Sequence, residues 1–313
     1  SAEGALAALR RDDALRDAER TADEALRRCE ELGAVALAPG DGAYPERLLE
    51  LPQAPPVLFA LGSLALLDAP CVAIVGTRDA TAYGERATHE IGDALARAGV
   101  TIVSGLARGI DAAAHRAALD AGGGTIAVLG TGIDVVYPAA HRALHRAIAE
   151  RGLLLSEELP GARPTPGSFP KRNRIIAALA RATIVVEAGA RSGALITAGH
   201  ALELGRAVAA VPGRIDAPQS AGANLLLRDG AIVIAEVADA LALVGAPPQP
   251  RPAPTLDDPA ARAIWEALAH GSADMDTLAA RAALPVRECL AAVASLELVG
   301  AVECTLAGEV RRR

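Results

Sequence analysis

Lysine is almost missing from this chain: Lys171 is the only one among 31 basic residues. High alanine and arginine beside so little lysine point to coding bias, so an isolated arginine carries little information. Cysteine is sparse too. Cys29, Cys71, Cys289 and Cys304 form no C-x-x-C pair and have no histidine at metal-ligand spacing, which excludes a metal-binding cysteine motif. Isolated reduced thiols of a cytoplasmic protein are expected instead. The six histidines are scattered, mostly within helical patterns, with helix surface as the default for each. No apolar run reaches the roughly 18 to 20 residues that span a bilayer, and no signal peptide is visible, so no membrane contact is expected.

What is present is globular. Of 313 residues 51% are apolar, enough for two or three domains with a real core, and the formal charge is −7. Residues 1–38 form a partial helical module, charged from Ala5 to about Glu31 and ending in a short apolar piece. Pro39, Gly40, Gly42, Pro45, Pro52, Pro55 and Pro56 make residues 39–70 an irregular lead-in. From Cys71 short apolar runs alternate with amphipathic stretches. Strands are predicted at 72–75, 101–103, 125–129, 153–155, 183–186, 207–211 and 231–234. Helices are predicted at 83–98, 110–121, 141–150, 172–180, 194–204 and 224–228. Continuous apolar strands are buried on both faces, and strict alternation with helices implies right-handed crossovers. The fold class is therefore α/β, with a Rossmann-like, doubly wound, mostly parallel sheet within residues 39–244.

Residues 245–256 contain GAPPQPRPAP, a semi-rigid linker. Beyond it, helices at 260–269, 275–282 and 286–298 precede two short extended runs around Ala307-Gly308. Residues 257–313 thus read as a winged-helix domain, a helix-turn-helix variant. Its candidate recognition helix, 286–298, offers one cation and two acids, where a major-groove reader needs cations and polar side chains. That favours a protein-contact or accessory role, although Arg311-Arg312-Arg313 leaves weak DNA contact open.

Between Leu159 and Val186 there is no acidic residue, while Arg163, Lys171, Arg172, Arg174 and Arg181 are all there. The peak is Ser168-Phe169-Pro170-Lys171-Arg172-Asn173-Arg174. A dense cationic string in an acidic protein points to a local polyanion site, not a generally sticky surface. Three like charges in four residues on a helix's first turn oppose its dipole, so a compensating anion is expected. Arg163 and Arg181 read as solvated.

Ligands of open parallel sheets bind at the carboxyl ends of the strands. Those ends carry Gly76-Thr77-Arg78, Ser104-Gly105-Leu106-Ala107-Arg108-Gly109-Ile110-Asp111, Gly130-Thr131-Gly132-Ile133-Asp134 and Gly189-Ala190-Arg191-Ser192-Gly193. Glycine permits close backbone approach, hydroxyls add donors, and unpaired N–H groups at helix N-termini favour an anion. Together these loops and the string describe a groove for several phosphates. Taken singly, Gly76-Thr77-Arg78 and Gly130-Thr131-Gly132 are as readily ordinary turns. Asp111 and Asp134 read as helix caps or early-turn acids. Tyr83 and Phe169 either pack or stack on bases, and Phe169 is the better placed, beside the cations.

The series VAIVGTR (72–78), IVSGLARGIDAAAH (102–115), TIAVLGTGIDVVYP (125–138), LLLSEELPG (153–161), FPKRNRIIAAL (169–179), VVEAGARSGALITA (185–198), VPG (211–213) and GAN (222–224) resembles the DNA processing protein A family, DprA or Smf, over residues 44–240. The resemblance implies a Rossmann-like domain that binds single-stranded DNA without catalysis or cofactor. It implies a homodimeric mediator that loads RecA onto incoming strands in natural transformation. The positions that match are Arg78, Ser104, Gly105, Lys171, Arg172, Asn173, Arg174, Ser192 and Gly193. The loop and stacking arguments add Gly76, Thr77, Arg108 and Phe169. His141 and Ala223 depart from the family pattern, where Asn and Cys are usual, and neither belongs to the expected groove.

Two enzyme readings compete. A nucleotide-processing enzyme related to lysine-decarboxylase-like phosphoribohydrolases would need a carboxylate after its Gly-rich loop. Here that stretch is Ser192-Gly193-Ala194-Leu195-Ile196-Thr197-Ala198, with no general acid or base. Glu187 precedes the loop, where a strand-end hydrogen-bonding role is the simpler reading. A dinucleotide oxidoreductase would need G-x-G-x-x-G after the first strand, and it is absent.

Overall fold

The computed structural model describes residues 2–249, 256–305 and 308–312, with side chains from residue 16 onward. Residues 250–255 of the expected linker, Ala307 of the expected turn and Arg313 lie outside the described residues. The chain divides into two compact units, Ser1–Gln249 and Pro250–Arg313.

The first unit opens with a long helix, α1 (Ala2–Leu32), whose buried Ala25 and Cys29 pack with Phe59, Leu129, Ile133 and Leu154. Strand β1 (Val35–Leu37) and strand β2 (Leu58–Gly62) follow. The lead-in is therefore not irregular throughout. The apolar run at β2 is short and follows Pro55 and Pro56, so local punctuation hid it; antiparallel pairing to β1 and to a later strand makes it extended.

Then come β3 (Cys71–Val75), α2 (Ala82–Arg97), β4 (Thr101–Ser104), α3 (Ile110–Asp120), β5 (Thr125–Leu129), α4 (Arg142–Arg151) and β6 (Leu153–Ser156). The second half adds α5 (Ser168–Leu179), β7 (Ala182–Val185), α6 (Gly193–Glu203), β8 (Ala207–Ala210), α7 (Ala221–Arg228), β9 (Ile232–Val233) and α8 (Val237–Ala242). Two boundaries differ from expectation in ways that matter. Helix α5 starts at Ser168, so Phe169, Pro170 and Lys171 all lie in its first turn, where a proline's missing N–H has no intrahelical partner to lose. Helix α8 was not expected; its signal is a short capping box, Glu236 with Asp239.

The nine-stranded sheet runs β1-β2-β6-β5-β4-β3-β7-β8-β9, parallel from β6 to β9. Strand β3 is the middle one of the seven parallel strands. The chain winds outward through β4, β5 and β6, then returns to β7 on the other side of β3, which creates a switch point between β3 and β7. Side chains alternate between the two faces: Cys71, Ala73 and Val75 join one helix layer with α5 and α6, while Val72 and Ile74 join the other with α2 and α3.

The second unit holds α9 (Pro259–Ala267), α10 (Met275–Ala282), α11 (Val286–Leu298) and an antiparallel pair, β10 (Val302–Cys304) with β11 (Val310–Arg312). Asp258 and Asp274 cap α9 and α10 through their carboxylates. Ile264, Leu278, Val293, Leu296, Val302 and Val310 make its own core. This is a winged-helix arrangement.

Candidate functional site

A cavity of about 910 Å³ opens at the carboxyl rim, where β3 meets β7. Gly76, Thr77 and Arg78 line it after β3, Ala107 and Asp111 after β4, Tyr137 after β5, and Gly189, Arg191, Ser192 and Gly193 after β7. Pro164, Thr165, Pro166, Phe169, Arg172 and Asn173 close the remaining side.

The rim is laced by its own backbone. The Thr77 N–H donates to the Glu187 carbonyl at 2.7 Å, and the Ile110 N–H donates to the Thr77 carbonyl at 3.2 Å. A Cβ on Gly76 would stand 2.5 Å from Ile110 Cγ1 and 2.7 Å from the Glu187 carbonyl, so protein atoms explain that glycine without a ligand. Gly105 is similar: its Cβ would meet the Arg172 guanidinium at 2.5 Å. Gly193 is the opposite case, with nothing within 4 Å, at the N-terminus of a helix capped by Ser192, whose Oγ accepts from the Ala194 N–H at 3.3 Å.

The cationic string splits into three different environments. Arg172 is 7% exposed. It donates through Nη1 to the Gly105 carbonyl at 2.9 Å and to the Val128 carbonyl, and through Nε to Asn173 Oδ1 at 3.2 Å. Burial pulls its pKa down to about 10, with Asp111 opposing and Arg78 adding to the fall. Asp111 is buried beside it and accepts from the N–H groups of Gly105 (3.1 Å) and Ala107 (3.4 Å). Burial pushes the Asp111 carboxyl up, against the pull of Arg172. Arg174 donates to Glu157 Oε1 at 2.7 Å, and both side chains are 11% exposed. Lys171 is half-exposed, its Nζ 3.3 Å from Glu157 and 3.7 Å from Glu158.

The compensating anion expected for this helix turn is thus internal: Glu157 and Glu158 after β6, and Asp111 on α3. Arg172 and Arg174 are not free cations of a groove. Lys171 is the accessible member, because a surface ion pair is worth only about 0–1 kcal/mol and yields to a competing anion.

Other expected residues sort as clearly. Ser104 is fully buried, and its Oγ donates to the Ile74 carbonyl at 2.7 Å, so neither Ser104 nor Gly105 faces the cavity. Arg108 is exposed outside the cavity lining, 3.9 Å from Asp79. Asn173 lines the cavity and donates to the Gly193 carbonyl at 3.2 Å. Glu187 accepts from the Thr81 N–H at 2.9 Å and the Thr81 hydroxyl at 2.6 Å, anchoring the start of α2. Asp111 is a first-turn acid of α3 as expected, but Asp134 is no cap: it accepts from the Gly161 N–H and from Arg28. Tyr83 donates to the Pro212 carbonyl at 3.0 Å, away from the cavity.

Phe169 is in the lining, with the Arg78 guanidinium 5.8 Å over its ring. Its other neighbour is Tyr137, ring centroids 5.3 Å apart at 36°. Tyr137 and Arg191, both exposed in the lining, were not singled out from the sequence. Arg191 carried a signal, its place in the loop after β7; Tyr137 carried none, since only the fold brings it against Phe169. Arg78 and Arg191 give the cavity two exposed cations, and the ring pair gives it an apolar platform.

The model of the DNA recombination-mediator protein A family matches residues 36–245, and that of the DprA winged helix domain matches residues 247–308. Protein Smf of Escherichia coli is 40% identical over 290 residues, 88% of this chain and 77% of its own. The crystal structure of DNA processing protein A from Streptococcus pneumoniae superposes with a TM-score of 0.65 at 46% identity, covering 66% of this chain and 73% of that one. DNA processing protein A from Helicobacter pylori, whose structure describes a single-stranded DNA binding mode, gives 0.63 at 32% identity over 68% of this chain and 96% of that one.

Proposed function

This chain belongs to the DNA recombination-mediator protein A family, and on that premise we propose that its rim cavity holds single-stranded DNA. Phosphates contact Arg78, Arg191 and the Gly193 amide, Lys171 joins from outside the lining, and a base stacks on the Phe169–Tyr137 pair. The observation that carries this reading is the conjunction in one cavity of two exposed arginines and an aromatic pair. Mediation is the corresponding role: the chain delivers a strand to RecA in natural transformation, acting as a dimer in the cytoplasm, with no chemistry of its own and no cofactor.

The carboxylates near the cavity support a binding role over catalysis. Asp111 is buried and committed to the N–H groups of Gly105 and Ala107, and Glu187 is committed to Thr81. A phosphoribohydrolase needs a carboxylate free to exchange a proton with substrate. Among the described residues no helix is long and apolar enough to cross a membrane.

The test is anisotropy of a labelled 20-nucleotide single strand against its duplex across a salt series. Preferred single-strand binding is expected, with affinity falling roughly 0.7 log units per tenfold salt for each phosphate neutralised. Release of free base from nucleoside monophosphates would replace this reading with the enzymatic one.

A further inference from the structure

Arg28 lies on α1, and it does not line the cavity. Its guanidinium nevertheless reaches a point from which two cavity loops hang. Nε and Nη2 both meet Asp134 Oδ2, at 2.9 and 2.6 Å. The other carboxylate oxygen, Oδ1, accepts from the Gly161 N–H at 2.6 Å. One carboxylate therefore ties α1 to the segment after β5 and to the segment after β6.

The two segments are already in backbone contact. The Gly132 N–H donates to the Ala162 carbonyl at 2.9 Å, and a Cβ on Gly132 would stand 2.6 Å from the Gly161 nitrogen and the Leu159 carbonyl. Gly161 has φ +83°, with the Arg28 guanidinium 3.2 Å from where its Cβ would be. Three residues beyond Asp134 the chain delivers Tyr137 to the Phe169 ring, and three beyond Gly161 it delivers Pro164 to the cavity wall. The Asp134 side chain is 10% exposed, so its acceptor geometry is held by protein donors.

We propose that Arg28 is a positioning residue: through Asp134 it locks the loops that present Tyr137 and Pro164–Pro166, and so pre-organises the stacking side of the groove. This gives α1 a role in ligand binding without touching the ligand, and it rests on the single-strand reading above. Pre-organised loops lose less freedom on binding, and loosened ones bind more weakly with the same contacts.

Full-length wild type, Arg28→Ala, Tyr137→Ala and the double variant are compared by anisotropy with a labelled 20-nucleotide oligo-dT across salt. Arg28→Ala should weaken binding about three- to tenfold with an unchanged salt slope, because no phosphate contact is lost. The double variant should lose less than the sum of the two single losses, the non-additivity of residues acting through one another. Wild-type affinity in Arg28→Ala, a reduced salt slope, or additive losses would each overturn the proposal. Amide exchange at residues 131–137 and 159–166 needs no DNA and should rise in Arg28→Ala; unchanged exchange also overturns it. If wild type binds no single strand, the function proposed above fails, and exchange alone then decides the clamp.

Discussion

Arg172 and Arg78 stand on the same rim, and burial separates what each does. Removing the Arg172 guanidinium would strip the Gly105 and Val128 carbonyls of their buried donor and the buried Asp111 carboxylate of a nearby cation, a loss of about 1–3 kcal/mol. Arg172→Leu is therefore expected to lower the urea midpoint strongly, whereas Arg78→Glu keeps the midpoint and lowers single-strand affinity at least about tenfold, with a shallower salt slope. A stable Arg172→Leu with weak binding would reverse these assignments. A second buried group sets acid sensitivity. His115 has Nδ1 2.7 Å from Thr125 Oγ1, and burial, with Arg172, His141 and Arg116, takes its pKa from 6.5 to about 3. Above pH 6.5 it is neutral in both folded and unfolded chains. Below 6.5 the unfolded chain takes up a proton that the native state refuses, so stability falls by up to about 1.4 kcal/mol per pH unit until about pH 3. Urea midpoints at pH 7.5 and 5 should separate less in His115→Asn than in wild type; equal separations would clear His115. None of this was legible in the sequence, where a string of cations looks alike whether buried or solvated.

At the scale of elements, the loops after the strands were readable because glycine and short apolar runs are local signals. Their reasons were not. Gly76 and Gly193 both sit in such loops, yet one is walled in by Ile110 and Glu187 and the other is open. Gly76→Ala should destabilise the chain by about 1–3 kcal/mol through overpacking. Gly193→Ala should melt like wild type while binding single strands more weakly, if phosphate approaches that amide; unchanged affinity would remove the loop after β7 from the interface. Helix α5 shows the same division. Its apolar period was visible in Ile175, Ile176 and Leu179, but its start four residues earlier depends on the Ser168–Thr165 turn, where the Ser168 hydroxyl donates to the Thr165 carbonyl at 2.9 Å.

At the scale of the whole molecule, each unit has its own core, so their tasks are separable. Two of the three terminal arginines of the second unit are spent internally: Arg311 pairs with Glu303, and Arg312 lies 4.2 Å over the Trp265 ring while its Nε donates to the Trp265 carbonyl at 2.9 Å. Helix α11 exposes Val286, Leu290 and Leu298, with Arg287 as its one cation. A chain ending at Gln249 should keep single-strand affinity within about twofold in a gel shift, and a fragment of residues 256–313 should not retard a 20-base-pair duplex. Retardation by the fragment would restore a DNA role to the wing.

Strand–helix alternation, the parallel rim and the winged helix follow from the sequence alone, because apolar periodicity and glycine placement act over a few neighbouring residues. The antiparallel strand β2 between β1 and β6, the pairing of Tyr137 with Phe169 and the internal neutralisation of Arg172 and Arg174 were decided only by tertiary structure. The physical reason is that a charge is free or spent according to which carboxylate folds against it. Asp111 and Glu157 reach α5 from the ends of other strands, at positions no local pattern connects.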